Sequence, residues 1–374
     1  MALIRRTPVA GHRGAATVAV AVIVLVAGIA TGALRTRDAG STTSTSVAHE
    51  RPQPGWTVAT SSPRGVMVDY RNISVGGVTF RALRLRARTT LLRWHVGSTD
   101  PNSVRVPRDA GPAIDWPSEG PPGVVAVFNG AFKQAAAAGG SAADGIALSP
   151  LMKSHMTIAL NATGHWALGL WGSPHFPPRD FRAIAYRQNL GPVVWNHALS
   201  AAATSGNSGQ WGSPLGGVAA EPRTGLGVDA KGNLIYVATM QPILVAALGR
   251  AMIAAGVVMG MELDINPYWP ILGAPFRPLH ATGGFFPVQL PRSEHNPSIY
   301  ETGWTRDFFV AVAEPASWSC HWSSSGLHEP FGSVPQPQPL HLVGRCFVRG
   351  AATTTTTTPR ITTTTSTVTP TPSS

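Results

Sequence analysis

The sequence predicts an α+β fold whose core is a mixed, largely antiparallel β-sheet, preceded by one N-terminal transmembrane helix. Two observations predict the core. Short β-branched and aromatic runs alternate with polar residues between Gly, Pro and Asn turns, which is typical of antiparallel strands with one solvated face. Residues 233–261 then read as a strand, an Ala- and Leu-rich helix and a second, wholly apolar strand. The second strand is therefore expected to be covered on both faces.

The composition describes a chain that folds around a sizeable core. Of 374 residues, 43% are hydrophobic and only 13% are charged, which excludes a disordered protein. The net charge of +11 favours an anionic neighbour. There is no zinc-finger spacing, basic helix or aromatic RNA-binding motif, so no nucleic acid partner is predicted. A membrane or cell-envelope setting fits the charge better, and the oligomeric state is not predicted.

The N-terminal region predicts a membrane anchor. Residues 1–14 form a basic segment, and residues 15–34 form an uncharged apolar run of about the length that crosses a bilayer. The preceding arginines predict a cytoplasmic N-terminus. A cleavable signal peptide is the alternative, because small residues stand near the end of the run. Either interpretation places the bulk of the chain outside the cytoplasm, at the cell membrane for a retained single-pass anchor.

The rest of the chain divides by composition. The predicted parts are a Ser-, Thr- and Pro-rich linker at 35–63, a folded domain at 64–313, a C-terminal extension at 314–350 and a Thr/Pro-rich disordered tail at 351–374. Cys320 and Cys346 are the two cysteines of the chain. In an exported protein two thiols most simply form one disulfide, which here would close the extension.

Polar residues follow the second strand of the strand–helix–strand unit directly. Glu262, Asp264 and Asn266 come after the apolar run 257–261. Because strand side chains alternate between faces, the three are expected to share one face if the strand persists. Burying two acids next to an apolar strand costs free energy, so such residues are expected to have a function, which favours a functional site. The alternative is that they cap a loop or pair with an arginine.

A second buried strand also ends in polar residues. The apolar run 124–128 is followed by Asn129 and Gly130. Taken alone, an Asn-Gly pair is most simply a hairpin turn.

Four segments taken together resemble one known family. NGAF at 129–132, GPVV at 191–194, EPRTGLGVDAKGNL at 221–234 and MELD at 261–264 are similar in kind and order to motifs of the phosphodiester glycosidase family, the bacterial relatives of the lysosomal uncovering enzyme. The resemblance spans about residues 64–313 and implies that Asn129 and Gly130 lie by a substrate pocket. The family usually continues LD with GGGS, whereas Leu263-Asp264 continues here as Ile-Asn-Pro-Tyr.

The resemblance implies cleavage of a sugar from a phosphodiester, and the residue types suggest roles. Arg223 would hold the phosphate through paired N–H donors. Asp264 would act as a base or stabilise an oxocarbenium-like transition state, with Glu262 as its partner acid. The remaining candidates for substrate binding are Asn129, Gly130, Asn266 and His280. No metal and no cofactor is predicted.

Three functions stay open. The first is a membrane-anchored extracytoplasmic glycosidase that hydrolyses sugar-1-phosphodiester bonds in phosphorylated envelope glycans or glycolipids. The second is a catalytically inactive glycan-binding or structural module of the same fold, which the missing glycine turn permits. The third is a metal-dependent hydrolase that uses Asp264 with His280 or His295.

Overall fold

The structure is a computed structural model. It describes residues 54–314, except 102–104, 107–109, 115–123, 137–138, 206–209, 213, 275–276, 280–282 and 286. For 277–279, 283–285, 318–324 and 342–348 it describes the backbone. The described residues all belong to one compact unit, 47–374.

Strands dominate the described residues. In chain order they are β1 Thr57–Ser62, β2 Gly65–Val75, β3 Val78–Leu85, β4 Thr90–His95, β5 Val124–Asn129, β6 Ser141–Ala143, β7 Ile146–Ser149, β8 Met156–Asn161, β9 Trp166–Leu170, β10 Ala183–Gln188, β11 Val194–Trp195, β12 Ala198–Leu199, β13 Glu221–Asp229, β14 Leu234–Ile243, β15 Val257–Ile265, β16 Leu272–Ala274, β17 Arg277–Leu279, β18 Gly283–Phe285, β19 Val288–Gln289, β20 Phe308–Ala313, β21 Trp318–Ser324 and β22 Leu342–Val348. The helices are α1 Ala201–Thr204, α2 Val245–Ala255 and α3 Ile299–Thr302, with 3-10 turns at Gln134–Ala136 and Leu215–Gly217.

Most of these strands form three antiparallel sheets. The large sheet has the order β1-β2-β3-β14-β13-β15-β11-β12, the second sheet β19-β16-β5-β20-β4 and the third sheet β7-β6-β10-β8-β9. Apolar side chains from all three meet in one core cluster, which includes Leu226, Phe128 and Ile158. The predicted, largely antiparallel sheet core is confirmed.

The predicted strand–helix–strand unit is β14, α2 and β15. Both strands run antiparallel to β13, which lies between them, so they are parallel to each other but are not neighbours. Gly256 ends the helix in a left-handed conformation with φ 98°, as a C-terminal glycine commonly does. Pro242 does not begin the helix but lies within β14, whose ladder to β13 continues to Ile243.

Helix α2 packs on the face of the large sheet opposite the inter-sheet core. Its Leu248 and Met252 join a second cluster with Ile235 and Val237 of β14. Glycine in the neighbouring strands makes room for it, since a Cβ on Gly225 would lie 2.7 Å from the sulfur of Met252. The helix therefore holds β13, β14 and β15 together from one side.

Strand β1 corrects the predicted domain boundary. The segment 35–63 was expected to be a solvated linker, but Thr57–Ser62 pairs antiparallel with β2, and the preceding Trp56 is buried beneath the guanidinium of Arg84. As an edge strand, β1 has mostly exposed and half-buried side chains, so no apolar period marks it in the sequence.

The ends of the chain leave several predictions untested. The predicted anchor at 15–34 and tail at 351–374 lie outside the described residues, and within the described part no helix is long and apolar enough to cross a membrane. Strands β21 and β22 pair with Cys320 opposite Cys346. Their side chains lie outside the described part, so the disulfide stays a prediction.

Candidate active site

Three segments far apart in the sequence converge where β5 and β15 end. The backbone N–H of Asp264 donates to the carbonyl of Gly130 at 2.9 Å, and the N–H of Gly130 donates to the carbonyl of Asp307 at 2.9 Å. Asn129 is the last residue of β5 and is paired with Phe308 of β20. The Asn-Gly pair is therefore not a hairpin turn, and it lies beside Asp264.

The Asn129 side chain faces the interior. Its Nδ2 donates to the hydroxyl of Thr224 at 3.0 Å, and its Oδ1 accepts from the hydroxyl of Tyr236 at 2.7 Å and from the N–H of Ile271 at 3.3 Å. The residue is only 4% exposed. The Thr224 hydroxyl donates in turn to the carbonyl of Asp264 at 2.7 Å. Asn129 thus joins the sheets and positions the backbone of Asp264, and its amide is already occupied within the protein.

Gly130 is required by packing. A Cβ at this position would lie 2.2 Å from Oδ2 of Asp307 and 2.7 Å from its carbonyl oxygen. Real Cβ atoms do not approach other atoms so closely, so the absent side chain lets the Asp307 carboxylate sit against the backbone after β5.

Arg223 and Glu262 form a closed pair. The Nη1 of Arg223 lies 2.5 Å from Oε1 of Glu262, and the two side chains are 2% and 0% exposed. The guanidinium also donates to the carbonyls of Trp211, Ala219 and Ile243 at 3.1, 2.8 and 2.9 Å. Every nitrogen of the Arg223 guanidinium therefore has an acceptor inside the protein, and the side chain is almost completely buried, which argues against the phosphate-binding role predicted for it.

Asp264 pairs with a different arginine. Its Oδ2 lies 2.7 Å from Nη2 of Arg306, with side-chain exposures of 7% for Asp264 and 5% for Arg306. The same Nη2 donates to the carbonyl of Ala131 at 2.9 Å. The Nε of Arg306 is buried without a hydrogen-bond partner among the described residues. This guanidinium, unlike that of Arg223, therefore has a nitrogen with no acceptor in the described part of the chain.

A β-bulge separates the two acids. The pairing of β13 with β15 shifts between Arg223, which lies opposite Ile265, and Gly225, which lies opposite Glu262. An extra residue in one strand breaks the alternation of faces. The expectation that Glu262, Asp264 and Asn266 share one face was therefore wrong, and Glu262 and Asp264 contact different arginines.

A second buried ion pair lies behind Asp264. The Nε of Arg187 lies 2.8 Å from Oδ2 of Asp307, and both side chains are fully buried. Trp94 donates its ring N–H to the same oxygen at 3.0 Å, and Arg187 donates to the carbonyl of Phe132 at 2.5 Å. Arg306 and Asp307 are adjacent in sequence, so this pair holds the start of β20 where Arg306 can reach Asp264.

Burial controls the ionisation of both acids at the end of β15. It raises the pKa of Asp264 to about 7, which Arg306 opposes and the nearby Asp307 reinforces. It likewise raises the pKa of Glu262 to about 7, against the opposing effect of Arg223. Both protonation states of Asp264 are therefore populated near neutral pH, which suits a general acid or base.

Aromatic side chains border the Asp264–Arg306 pair. The Trp269 ring centroid lies 5.3 Å from the Arg306 guanidinium carbon and 5.9 Å from Nζ of Lys133. Trp304 lies 6.1 Å from Trp269, edge to face. Tyr268 is 49% exposed and contacts Trp269. Aromatic faces and surface cations of this kind bind sugar rings and anionic groups.

The remaining candidates lie elsewhere or outside the described part. Asn266 is 6% exposed, and its Oδ1 accepts from the N–H of Leu215 at 2.9 Å, so its side chain holds a loop. His280 lies outside the described residues. Trp211 is buried and anchors its loop by donating its ring N–H to the carbonyl of Ala202 at 3.3 Å. Among the described residues there is no group of three His, Cys, Asp or Glu side chains placed to hold a metal.

Sequence reasoning missed the residues that surround Asp264. Arg306 and Asp307 precede the wholly apolar β20, and Arg187 follows the apolar start of β10. Each repeats the signal that singled out Asn129 and Asp264, which is a polar or charged residue beside an apolar run. Because β20 runs antiparallel to β5, the start of β20 and the end of β5 coincide.

Comparison with known proteins does not assign a family. No protein-family model and no curated protein matches the chain. Among solved structures, the chain is similar to the zebrafish N-acetylglucosamine-1-phosphodiester alpha-N-acetylglucosaminidase catalytic domain auto-inhibited by its pro-peptide, at 10% identity and a TM-score of 0.41, over 70% of this chain and 88% of that one.

Two further structures show the same distant likeness. A hypothetical protein from Synechocystis is 11% identical, with a TM-score of 0.39, over 67% of this chain and 63% of that one. A putative exported protein from Burkholderia pseudomallei is 10% identical, with a TM-score of 0.30, over 66% and 75%. These likenesses are distant and concern the fold alone, so any activity must be argued from the site.

Proposed function

We propose that the chain is an extracytoplasmic hydrolase that cleaves sugar-1-phosphodiester bonds in envelope glycans or glycolipids, held at the membrane by residues 15–34. The observation that carries the proposal is the Asp264–Arg306 pair at 2.7 Å, bordered by the half-buried Trp269. The substrate class comes from the sequence resemblance. The catalytic cluster is revised, with Arg306 in the phosphate-binding role first given to Arg223.

In the proposed reaction, water attacks the anomeric carbon and the bond from that carbon to the phosphate oxygen breaks. The products are the free sugar and a phosphate monoester. Ionised Asp264 accepts the proton of the attacking water, and its pKa of about 7 keeps a base available at neutral pH. Arg306 offsets the charge of the leaving phosphate from its position beside Asp264, and Lys133 adds a second, exposed cation.

The sugar is placed against the aromatic side chains. Trp269 and Tyr268 offer ring faces beside the ion pair, and the guanidinium of Arg306 lies 5.3 Å from the Trp269 centroid. A ring stacked there is close to both the carboxylate and the cation. Glu262 has no place in this reaction, because it is enclosed with Arg223.

The decisive test compares substitutions of three acids in the full chain. Sugar release is measured from the methyl phosphodiesters of N-acetylglucosamine 1-phosphate and glucose 1-phosphate. Asp264→Asn is expected to lower release by roughly 10²–10⁴-fold, the usual contribution of a positioned acid or base. Glu262→Gln and the matched control Asp180→Asn, on an exposed residue, are expected to retain most activity. Release that Asp264→Asn leaves unchanged would refute the assignment.

The second candidate function is glycan binding without turnover. Two features favour binding without catalysis. The side chains of Asp264 and Arg306 are almost completely buried, and Asn266-Pro267 stands in place of a glycine turn. It predicts that a sugar phosphodiester is retained and never cleaved, and that Trp269→Ala abolishes retention. Product formation by wild type that is lost in Asp264→Asn excludes this alternative.

A further inference from the structure

A groove beside the candidate site contains two arginines that the proposed reaction does not use. Its volume is about 220 Å³. The polar residues that line it are Asn72, Thr79, Arg81, Thr239, Gln241 and Arg292. None of the lining residues is a carboxylate, so the groove is positively charged.

Pairing across the large sheet places the groove beside the catalytic cluster. Arg81 lies opposite Asn72 on one side and Ala238 on the other, and Ala238 lies opposite Thr224, whose hydroxyl binds the carbonyl of Asp264. Directly opposed residues project from the same face of a sheet. At a strand spacing of ~4.8 Å, Arg81 and Thr224 are separated by about 10 Å. The groove and the candidate site therefore share one face of one sheet.

Among the residues that the structure describes, none forms an ion pair with Arg81. Its guanidinium lies 5.1 Å from the Tyr70 ring centroid, and its Nε is buried without a hydrogen-bond acceptor among the described residues. Burial lowers the pKa of Arg81, because partial desolvation disfavours the cation. An anion in the groove would offset the cost of burying this charge.

Arg292 is the second arginine of the groove and comes from a separate segment of the chain. It is exposed and follows Leu290 and Pro291 in the groove wall. Its φ of 64° is left-handed, a conformation that a non-glycine residue adopts only where its surroundings impose it. The loop thus places a second arginine in the wall of the groove that Arg81 also lines.

We infer that this groove binds the phosphate group of a phosphorylated sugar, with Arg81 and Arg292 on the phosphate and the amides of Asn72 and Gln241 on the sugar hydroxyls. Guanidinium groups hold phosphate oxygens through paired N–H donors. The volume is below the roughly 300–1,000 Å³ of sites for drug-sized ligands, so it suits a single sugar ring. The groove is a binding site apart from the reaction at Asp264.

The test titrates glucose 1-phosphate into the full chain by calorimetry, with glucose and glucuronate as comparison ligands. Wild type is expected to bind the phosphate ester in preference to both, with affinity that falls as salt is raised. Arg81→Gln and Arg292→Gln are each expected to weaken binding by at least about ten-fold, equivalent to the loss of one charge-assisted contact. The control Arg250→Gln, on the exposed face of α2, is expected to bind as wild type does.

Further variants separate this site from the catalytic one. Asp264→Asn is expected to bind glucose 1-phosphate as wild type does, so the groove can be confirmed even if no hydrolysis is found. Binding that is lost in Arg306→Gln and kept in both groove variants would place the ligand at the candidate active site and overturn the inference. Absence of binding by wild type, or equal binding of glucuronate, overturns it as well. Arg292 is exposed, so its variant tests the groove even if Arg81→Gln unfolds.

Discussion

Two arginine–carboxylate pairs at the end of β15 differ in what else their guanidinium groups contact. Arg223 binds Glu262 and three backbone carbonyls, which uses all its nitrogens inside the protein. Arg306 binds Asp264 and one carbonyl, and its Nε has no partner among the described residues. The first pair is therefore part of the framework, whereas the second keeps a nitrogen that no acceptor among the described residues satisfies.

The difference shows that burial alone does not identify a catalytic acid. Burial raises the pKa of both Glu262 and Asp264 to about 7. A strongly shifted pKa marks a functional site or a structural ion pair equally well. The contacts of the partner arginine, and the surface aromatic rings near Asp264, separate the two cases here.

The largest expected effect is on the pH dependence of stability, to which both pairs contribute in the same direction. The unfolded pKa values are 4.5 for Glu262 and 3.8 for Asp264, and both rise to about 7 in the folded chain. The folded protein therefore holds protons that the unfolded chain has released. Their contribution to stability is fully present below about pH 4 and is lost as the pH rises to 7. Urea denaturation across this range measures it.

Single variants then assign a share of this dependence to each pair. Glu262→Gln and Asp264→Asn mimic the neutral acids, so each is expected to flatten the decline in unfolding free energy between pH 4 and 7. Asp180→Asn, on an exposed residue, serves as the control. A decline that neither variant alters would show that these carboxyls ionise normally in the folded state.

The next largest effect distinguishes the two arginines. Arg223→Met is expected to destabilise the fold by about 3–5 kcal/mol, because it leaves Glu262 and three carbonyls without a donor in the interior. Arg306→Met should cost less, about 1–3 kcal/mol, since it frees one carbonyl and a carboxyl. Activity should show the opposite order, with Arg306→Met the more damaging among folded variants.

Unfolding free energies and sugar release are measured on the same preparations. Arg250→Met, on the exposed face of α2, controls for the loss of an arginine. Equal destabilisation by Arg223→Met and Arg306→Met would contradict the distinction between a framework pair and a ligand-facing pair.

Gly130→Ala tests the packing around Asp307, the residue that follows Arg306. The new Cβ would overlap Oδ2 of Asp307, whose carboxylate holds Arg187. Overpacking of this kind costs about 1–3 kcal/mol. Thermal denaturation should show the loss, and Gly191→Ala, where no atom lies within 4 Å of the new Cβ, is the matched control. Equal stability of both variants would mean that Asp307 moves aside freely.

Much of the fold could be predicted because its signals are local. The apolar run of β15 and the glycine that ends α2 mark the strand–helix–strand unit directly. Strand β1 escaped prediction because it is an edge strand with few buried side chains, held by pairing with β2. Its hydrogen bonds are backbone interactions and leave no period in the sequence.

The site was harder to predict because two non-local features control it. The bulge opposite Thr224 turns Asp264 away from Glu262, and no residue type marks it in the sequence. The choice of partner for each acid depends on which strands meet, so Arg306 became a candidate only once β20 was known to lie beside β5. The convergence of Asn129 and Asp264 was predicted, through the family resemblance rather than through spacing.

The smallest expected effect concerns Asn266, which supports the loop that encloses the Arg223–Glu262 pair. Asn266 has a φ of 78°, and its side chain accepts from the N–H of Leu215. Asn266→Ala loses that hydrogen bond and also strains the left-handed backbone, whereas Asn266→Gly loses the bond but relaxes the backbone. The alanine variant should therefore be less stable than the glycine variant by about 1 kcal/mol. Chemical denaturation of both variants measures the difference, and sugar release should persist in each, because Asn266 contacts the loop and not Asp264 or Arg306. A loss of activity in both variants without a loss of stability would return Asn266 to the substrate-binding role that the sequence suggested.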